Sequence, residues 1–253
     1  MILVGLTGCG GQESKGFRNA ASVKRLDGST IAAEEIDGTV KRVMGVGEND
    51  GRRPGHSQRR KIVGALMGER VFRPLGMTRT SITWRLGFET NHAEGYDEQE
   101  TLGSESRLQA DATGSMLTAP RDFARFTEAV MQGERLPKET SEVVLSPQIA
   151  ILSKHEFPPL STETTEENKP IRLSYGLAWG LYWTPYGKAF FKEGHDDGWR
   201  NYTVCFDDAK TGMVIMTNSS NGEGLYKELL ETLLENTYTP IASEGFAPYE
   251  RKN

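Results

Sequence analysis

Arg200-Asn201-Tyr202-Thr203-Val204-Cys205-Phe206, then Asp207-Asp208-Ala209-Lys210-Thr211-Gly212, then Met213-Val214-Ile215-Met216-Thr217 decide the fold. The outer runs are rich in β-branched and aromatic residues, and the middle one is a turn of Asp, Lys and Gly, so together they read as a hairpin. Two further β-prone runs precede it, Tyr175 to Trp183 and Lys188 to Lys192, separated by Gly, Pro and Asp turns. After the hairpin, Ser220 and Glu223 stand three residues apart in the manner of a capping box. They open a helix that carries Leu225, Leu229, Leu230, Leu233 and Leu234 on one face. The last third is therefore an antiparallel sheet closed by a C-terminal helix.

Working back toward the start, helices dominate. Residues 118–131 hold Phe123, Phe126 and Val130 on one face, with Thr118 as cap and Pro120 in the first turn. Residues 62–70 return a helical pattern through Ile62, Ala65 and Leu66, and residues 31–44 read as a helix through Ile36, Val40 and Val43, capped by Ser29 or Thr30. Residues 155–170, rich in Thr, Glu and Pro, read as a long loop. Residues 45–61 (GVGENDGRRPGHSQRRK) carry five basic residues between Arg52 and Lys61 and almost nothing apolar, so they cannot join a core. The class expected is α+β, an antiparallel sheet flanked by helices beside a partial helical subdomain.

Composition narrows the function. The chain has 253 residues, 36% of them apolar, and a net charge of −5. That acidic balance argues against a nucleic-acid binder, and the basic run 52–61 has no interleaved aromatics to stack on bases. Four scattered histidines (His56, His92, His155, His195) have no metal-ligand spacing, so no metal is expected. Two cysteines cannot form a disulfide framework. The opening run Met1-Ile-Leu-Val-Gly-Leu-Thr-Gly-Cys9 resembles the end of a bacterial lipoprotein signal. The lipobox would be Leu6-Thr7-Gly8-Cys9 and Cys9 the lipidated residue; the alternative is an N-terminal buried strand. The resemblance implies a cell-envelope location and a membrane association only through a lipid on Cys9, which leaves Cys205 no second cysteine for a disulfide.

The order of several short segments is similar to the β-lactamase-related serine hydrolases, the class C β-lactamase, penicillin-binding protein and D-Ala-D-Ala carboxypeptidase superfamily. They are Pro74-Leu75-Gly76-Met77-Thr78; Ala93-Glu94-Gly95-Tyr96; Gly114-Ser115-Met116-Leu117-Thr118-Ala119-Pro120 running on to Phe126; Tyr175-Gly176-Leu177-Ala178-Trp179-Gly180; Gly194-His195-Asp196-Asp197-Gly198; and Met216-Thr217-Asn218-Ser219. The resemblance implies acyl transfer through a serine ester, without metal or organic cofactor. The substrates implied are β-lactams, D-Ala-D-Ala or other peptidoglycan-type peptides, or small esters. Gly194, His195, Asp197 and Gly198 stand where the family has its KTG or HxG strand, so they are the candidate substrate-binding residues.

The catalytic groups are not legible. The family uses a serine one helical turn before a lysine, SxxK, so that the amine takes the hydroxyl proton, and a YxN or SxN proton relay. No serine here is followed by lysine at the third position. Ser57-Gln58-Arg59-Arg60 is the nearest imitation, and a guanidinium cannot act as a base. Ser219-Ser220-Asn221 spells SxN on the wrong side of the HxG-like strand. No catalytic residue is assigned; a Ser115–His195–Asp111 set is conceivable from residue types alone. Trp179, Trp183, Phe190 and Phe191 read either as a ligand-stacking wall or as sheet core.

The organisation expected is a signal over 1–9, a tether over 10–28, an N-terminal helix over 29–44, an anomalous junction over 45–61, a partial helical subdomain over 62–170, sheet and C-terminal helix over 171–240, and a tail over 241–253. The junction reads as the scar of a lost catalytic middle. Such a chain is expected to hydrolyse little or nothing, to be marginally stable, or to serve instead as a non-catalytic envelope-binding lipoprotein.

Overall fold

The computed structural model describes residues 3–8, 22–32, 34–35, 64–102, 114–156 and 162–246. Cys9, the junction 45–61 with Ser57 and Arg52–Lys61, Asp111 and most of the helix expected over 29–44 lie outside these residues.

The strands in chain order are β1 (Leu3–Gly8), β2 (Ser22–Lys24), β3 (Thr30–Ala32), β4 (Ile149–Ala150), β5 (Ser174–Tyr175), β6 (Gly180–Thr184), β7 (Gly187–Asp196), β8 (Trp199–Phe206) and β9 (Thr211–Thr217). The helices are α1 (Pro120–Gln132), α2 (Lys138–Val144) and α3 (Tyr226–Leu234). Seven strands form one antiparallel sheet in the order β1-β9-β8-β7-β6-β5-β4. The hairpin read from the sequence is present: β8 and β9 pair from Arg200 opposite Thr217 to Phe206 opposite Thr211.

The sheet is buried on both faces, which is why its strands read as nearly continuous apolar runs. On one face Tyr182, Phe191, Tyr202, Val204, Phe206 and Ile215 pack against Tyr226, Leu229, Leu230, Leu233 and Leu234 of α3. On the other, Leu181, Phe190 and Cys205 pack against Met131 and Leu145, with Phe126 and Val130 of α1 alongside. The period of two along β7 sends Phe190 and Phe191 to opposite faces. The four aromatics named above are therefore split: Trp179 and Phe190 meet edge to face at 5.0 Å on the α1 side, Phe191 lies on the α3 side, and Trp183 lies under the Arg172 guanidinium at 4.3 Å. They are core, and no stacking wall forms.

Three local expectations are corrected. Residues 30–32 are strand, not the start of a helix, and β2 pairs with them inside the stretch expected as tether. The cause is the Asp27-Gly28-Ser29 turn: the Ser29 N–H donates to Asp27 Oδ1 at 2.8 Å, and Gly28 takes a left-handed φ of 89° that turns the chain back. Ile31 then enters the core beside α3. α1 begins after Ala119, because Thr118 spends its hydroxyl on Thr80 at 2.7 Å. The Ser220/Glu223 capping box does not form. Ser220 Oγ accepts the Gly198 N–H at 2.9 Å and Glu223 takes Arg200 at 2.9 Å, so the C-terminal helix starts through a 3-10 turn, Gly222–Leu225.

Ahead of α1, a π-helical turn Gly68–Phe72 leads into the Pro74–Met77 turn. Phe72, Met77 and Ile82 form a small core with Phe126. Asp122, buried in the first turn of α1, holds this region: it accepts the Arg79 N–H at 2.6 Å and the Thr80 hydroxyl at 3.1 Å, with Arg125 at 3.6 Å.

Candidate functional site

Three turns meet at the end of β7. Asp197-Gly198 joins β7 to β8, residues 94–98 cross above it, and Asn218–Asn221 follow β9. Asn218 Nδ2 donates to the Glu94 carbonyl at 2.6 Å, the Tyr96 N–H donates to the Asn218 carbonyl at 3.0 Å, and the Ser220 N–H donates to the Tyr96 carbonyl at 2.8 Å. Gly198 is wedged beneath: its φ is 79°, and a Cβ there would sit 2.9 Å from backbone atoms of Gly95 and Tyr96. Only glycine meets both demands at once. The Ala93–Tyr96, Gly194–Gly198 and Met216–Ser219 segments singled out in the sequence are thus neighbours in space, and the Ser219-Ser220-Asn221 triplet has a structural task, bracing this corner.

His195 projects from β7, half exposed, with Nδ1 3.0 Å from Glu193 Oε2. The two residues are i and i+2 on one strand, hence on one face. The carboxylate orients the ring through Nδ1. Asp196 braces the turn itself: its Oδ1 accepts the Asp197 N–H at 2.9 Å, and its carbonyl accepts Arg200 Nη1 at 2.7 Å; Asp197 is exposed. Gly194 has open space where a Cβ would be, which leaves the strand accessible there.

Four contributors to this site were missed in the sequence: Lys192, Glu193, Glu156 and Tyr175. Lys192 Nζ lies 3.8 Å from Glu193 Oε1 and 5.6 Å from the Tyr175 ring centre. Burial pulls its ammonium down, but a hydrogen bond with Tyr175 and the charges of Glu193 and Glu156 outweigh this and hold it above its usual value. Burial raises the half-buried Glu156 carboxyl, with Lys192 opposing. Lys192 is therefore an anchored cation, not a proton acceptor. Only the Glu193–His195 spacing carried a signal, since i,i+2 on a β-prone run places both on one face; Glu156 comes from a loop with no periodicity.

β6 pairs with β7 only up to Gly180 opposite Phe191. Among the described residues, no strand covers that edge of β7 from Lys192 to Asp196. An unpaired strand edge flanked by a cation and an oriented imidazole can take the main chain and carboxylate of an extended ligand.

Ser115 is buried at the turn before α1. Asp111 lies outside the described residues. Among the described residues there is also no group of three His, Cys, Asp or Glu able to hold a metal ion, and no helix long and apolar enough to cross a membrane.

Comparisons with known proteins bear on the fold. The chain's fold is similar to the octameric penicillin-binding protein homologue from Pyrococcus abyssi, at 19% identity over 69% of this chain and 40% of that one, with a TM-score of 0.50. It is similar to a beta-lactamase/D-alanine carboxypeptidase from Pseudomonas syringae, at 16% identity over 69% and 53%, with a TM-score of 0.52. It is also similar to a D-stereospecific amidohydrolase from Streptomyces sp., at 18% identity over 67% and 47%, with a TM-score of 0.50. The chain thus spans about half, or less, of the length of these solved relatives. No curated protein matches it. The family model described as Beta-lactamase matches residues 58–235, most of the chain, from just before the π-helical turn to the end of α3. With the sheet, the turns and the HxG-like strand in the family's order, the chain belongs to the beta-lactamase family.

Proposed function

We propose that this chain binds an acyl or peptide ligand at the open end of β7 and does not hydrolyse it. The ligand class follows the family, β-lactam, D-Ala-D-Ala peptide or small ester. Its main chain would meet the edge of β7, with Lys192 on one face of the strand and His195 on the other. The observation that carries the proposal is the combination of the Gly194–Gly198 corner, which departs from the family's HxG by carrying Asp196 and Asp197 after His195, with a sequence that has no SxxK anywhere. Without a serine beside an amine there is no activated nucleophile, and such hydroxyls are poor nucleophiles at their free pKa. The family's reaction needs no metal or organic cofactor.

The test has two arms. Nitrocefin and p-nitrophenyl acetate are expected to turn over at the buffer rate, with no covalent labelling by fluorescent penicillin or a fluorophosphonate. A D-Ala-D-Ala-terminated peptide is expected to bind, with affinity lowered about tenfold by His195→Ala. Turnover that Ser115→Ala abolishes would refute the non-catalytic half, and unchanged peptide binding in His195→Ala would refute the ligand site.

A second reading rests on Leu6-Thr7-Gly8-Cys9: a lipid-anchored, envelope-located binding protein. Expressed in bacteria with its natural leader, the chain would take up labelled palmitate, and Cys9→Ala would abolish the label.

A further inference from the structure

A cavity of about 270 Å³ opens beside α3, and none of the residues at the open end of β7 takes part in it. One wall is Lys154, Glu167 and Asn168. Another is Lys227, Leu230 and Glu231, spaced i, i+3 and i+4 and hence on one face of α3. The floor comes from the stretch between Asn236 and Ser243 that follows the helix. These parts are tied to one another and to the core. Asn236, 1% exposed, donates from Nδ2 to the Tyr182 hydroxyl at 3.3 Å and to Thr239 Oγ1 at 2.5 Å. Asn168 Nδ2 donates to Ser243 Oγ at 2.9 Å, which joins the first wall to the floor. The cavity is therefore formed before any ligand arrives, as small-molecule sites usually are.

Its polar groups select by what they leave unused. Lys154 pairs with Glu163 at 2.8 Å, and Lys227 pairs with Glu231. The Glu167 carboxylate, Asn168 Oδ1 and the Thr237 hydroxyl make no hydrogen bond among the described residues. Two of these three can only accept, so the ligand must bring donors. The two ammoniums oppose a cation, and the carboxylates of Glu163, Glu167 and Glu231 oppose an anion, so the ligand is neutral. Leu230, Pro240 and Ile241 supply one apolar side. The volume falls just under the roughly 300–1,000 Å³ of pockets for drug-sized molecules, which suits a single hexose ring. A sugar meets these demands together, with hydroxyls around its edge and C–H bonds over its face.

We propose that this cavity is a sugar-binding site: ring hydroxyls donate to Glu167 and Asn168 Oδ1, Thr237 bonds a third oxygen, and the C–H face lies against Leu230, Pro240 and Ile241. The test uses the isotope-labelled full chain and nuclear magnetic resonance. Glucose, galactose and N-acetylglucosamine are added separately, with inorganic phosphate and ethylamine as charged controls. At least one sugar is expected to shift the side-chain amide signals of Asn168 and Asn236 to saturation, while the Tyr96 and Gly198 amides stay still. Glu167→Gln, at an exposed position, is expected to weaken that binding about fivefold, since the acceptor loses its charge. Ala242→Trp, also exposed, puts an indole into the cavity and is expected to abolish it. Should Ala242→Trp misfold, seen as signals lost throughout the spectrum, Glu167→Gln decides alone. Shifts that saturate with none of the three sugars would overturn the site. Binding unchanged in Glu167→Gln, or retained in a folded Ala242→Trp, would place the sugar elsewhere and overturn it as well. Tighter binding of phosphate or ethylamine than of every sugar would overturn the ligand class.

Discussion

Replacing Glu244 by glutamine should change how stability depends on pH, and the direction follows from its surroundings. Glu244 is 2% exposed; Oε1 accepts the Tyr202 hydroxyl at 2.9 Å, and Oε2 is buried without a partner. Burial pushes the carboxyl well above the usual carboxylate range. The Tyr202 bond opposes the shift, the charges of Glu156 and Glu193 add to it, and Lys192 opposes it. Phe246, two residues on, packs edge to face on both Tyr202 and Tyr226, so the proton sits beneath a segment that closes the core. Because the folded value lies above the unfolded one, the folded chain keeps a proton that the unfolded chain releases. The stabilisation is complete below about pH 4, near the unfolded value, and is lost as pH rises through the folded value. Within that window each pH unit costs about 1.4 kcal/mol. Glu244→Gln retains an oxygen for the Tyr202 hydroxyl and releases no proton. Urea unfolding at pH 5, 6, 7 and 8 should show the parent losing stability relative to the variant as pH rises, with a limiting slope of about 1.4 kcal/mol per pH unit. The contribution of Glu156 is common to both chains and largely cancels. Parallel profiles for the two proteins would refute the reasoning, since they would mean that Glu244 already carries its charge when folded.

Two further substitutions probe the scaffold. Asp122→Ala leaves the Arg79 N–H and the buried Thr80 hydroxyl without their acceptor; a loss of about 2–4 kcal/mol is expected, with faster amide exchange at Met77–Ile82 than elsewhere. Gly198→Ala forces a side chain into a left-handed backbone and against Gly95, so about 2–3 kcal/mol should be lost. Amide exchange should then rise at Tyr96 and Ser220 before it rises in α3.

The sheet and its closing helix were legible because both of their signals are local. Arg200–Phe206 and Met213–Thr217 flank a polar turn, and the leucines of α3 repeat at helical spacing. The capping box failed because a nearer tertiary partner claimed each of its two side chains: Gly198 took Ser220, and Arg200 took Glu223. The β2–β3 hairpin was missed although Asp27-Gly28 announces it, because the helical pattern further along was extended back over Thr30–Ala32. At the site, the Gly194–Gly198 segment was found by its order among other family segments. Lys192 and Glu156 were not, because nothing in a linear sequence shows that a loop carboxylate will fold onto a strand lysine. The absence of SxxK, in contrast, was read directly from the letters.

The clasp between residues 94–98 and Asn218–Asn221 bears on how this molecule moves. Two of its bonds are main chain to main chain, and two are donated by the side-chain amides of Asn218 and Asn221 to the Glu94 and Glu98 carbonyls. It joins the segment entering from the helical side to the far end of β9. Because Gly198 is wedged under Gly95 and Tyr96, whatever displaces residues 94–98 is felt at the turn on which the open stretch of β7 ends.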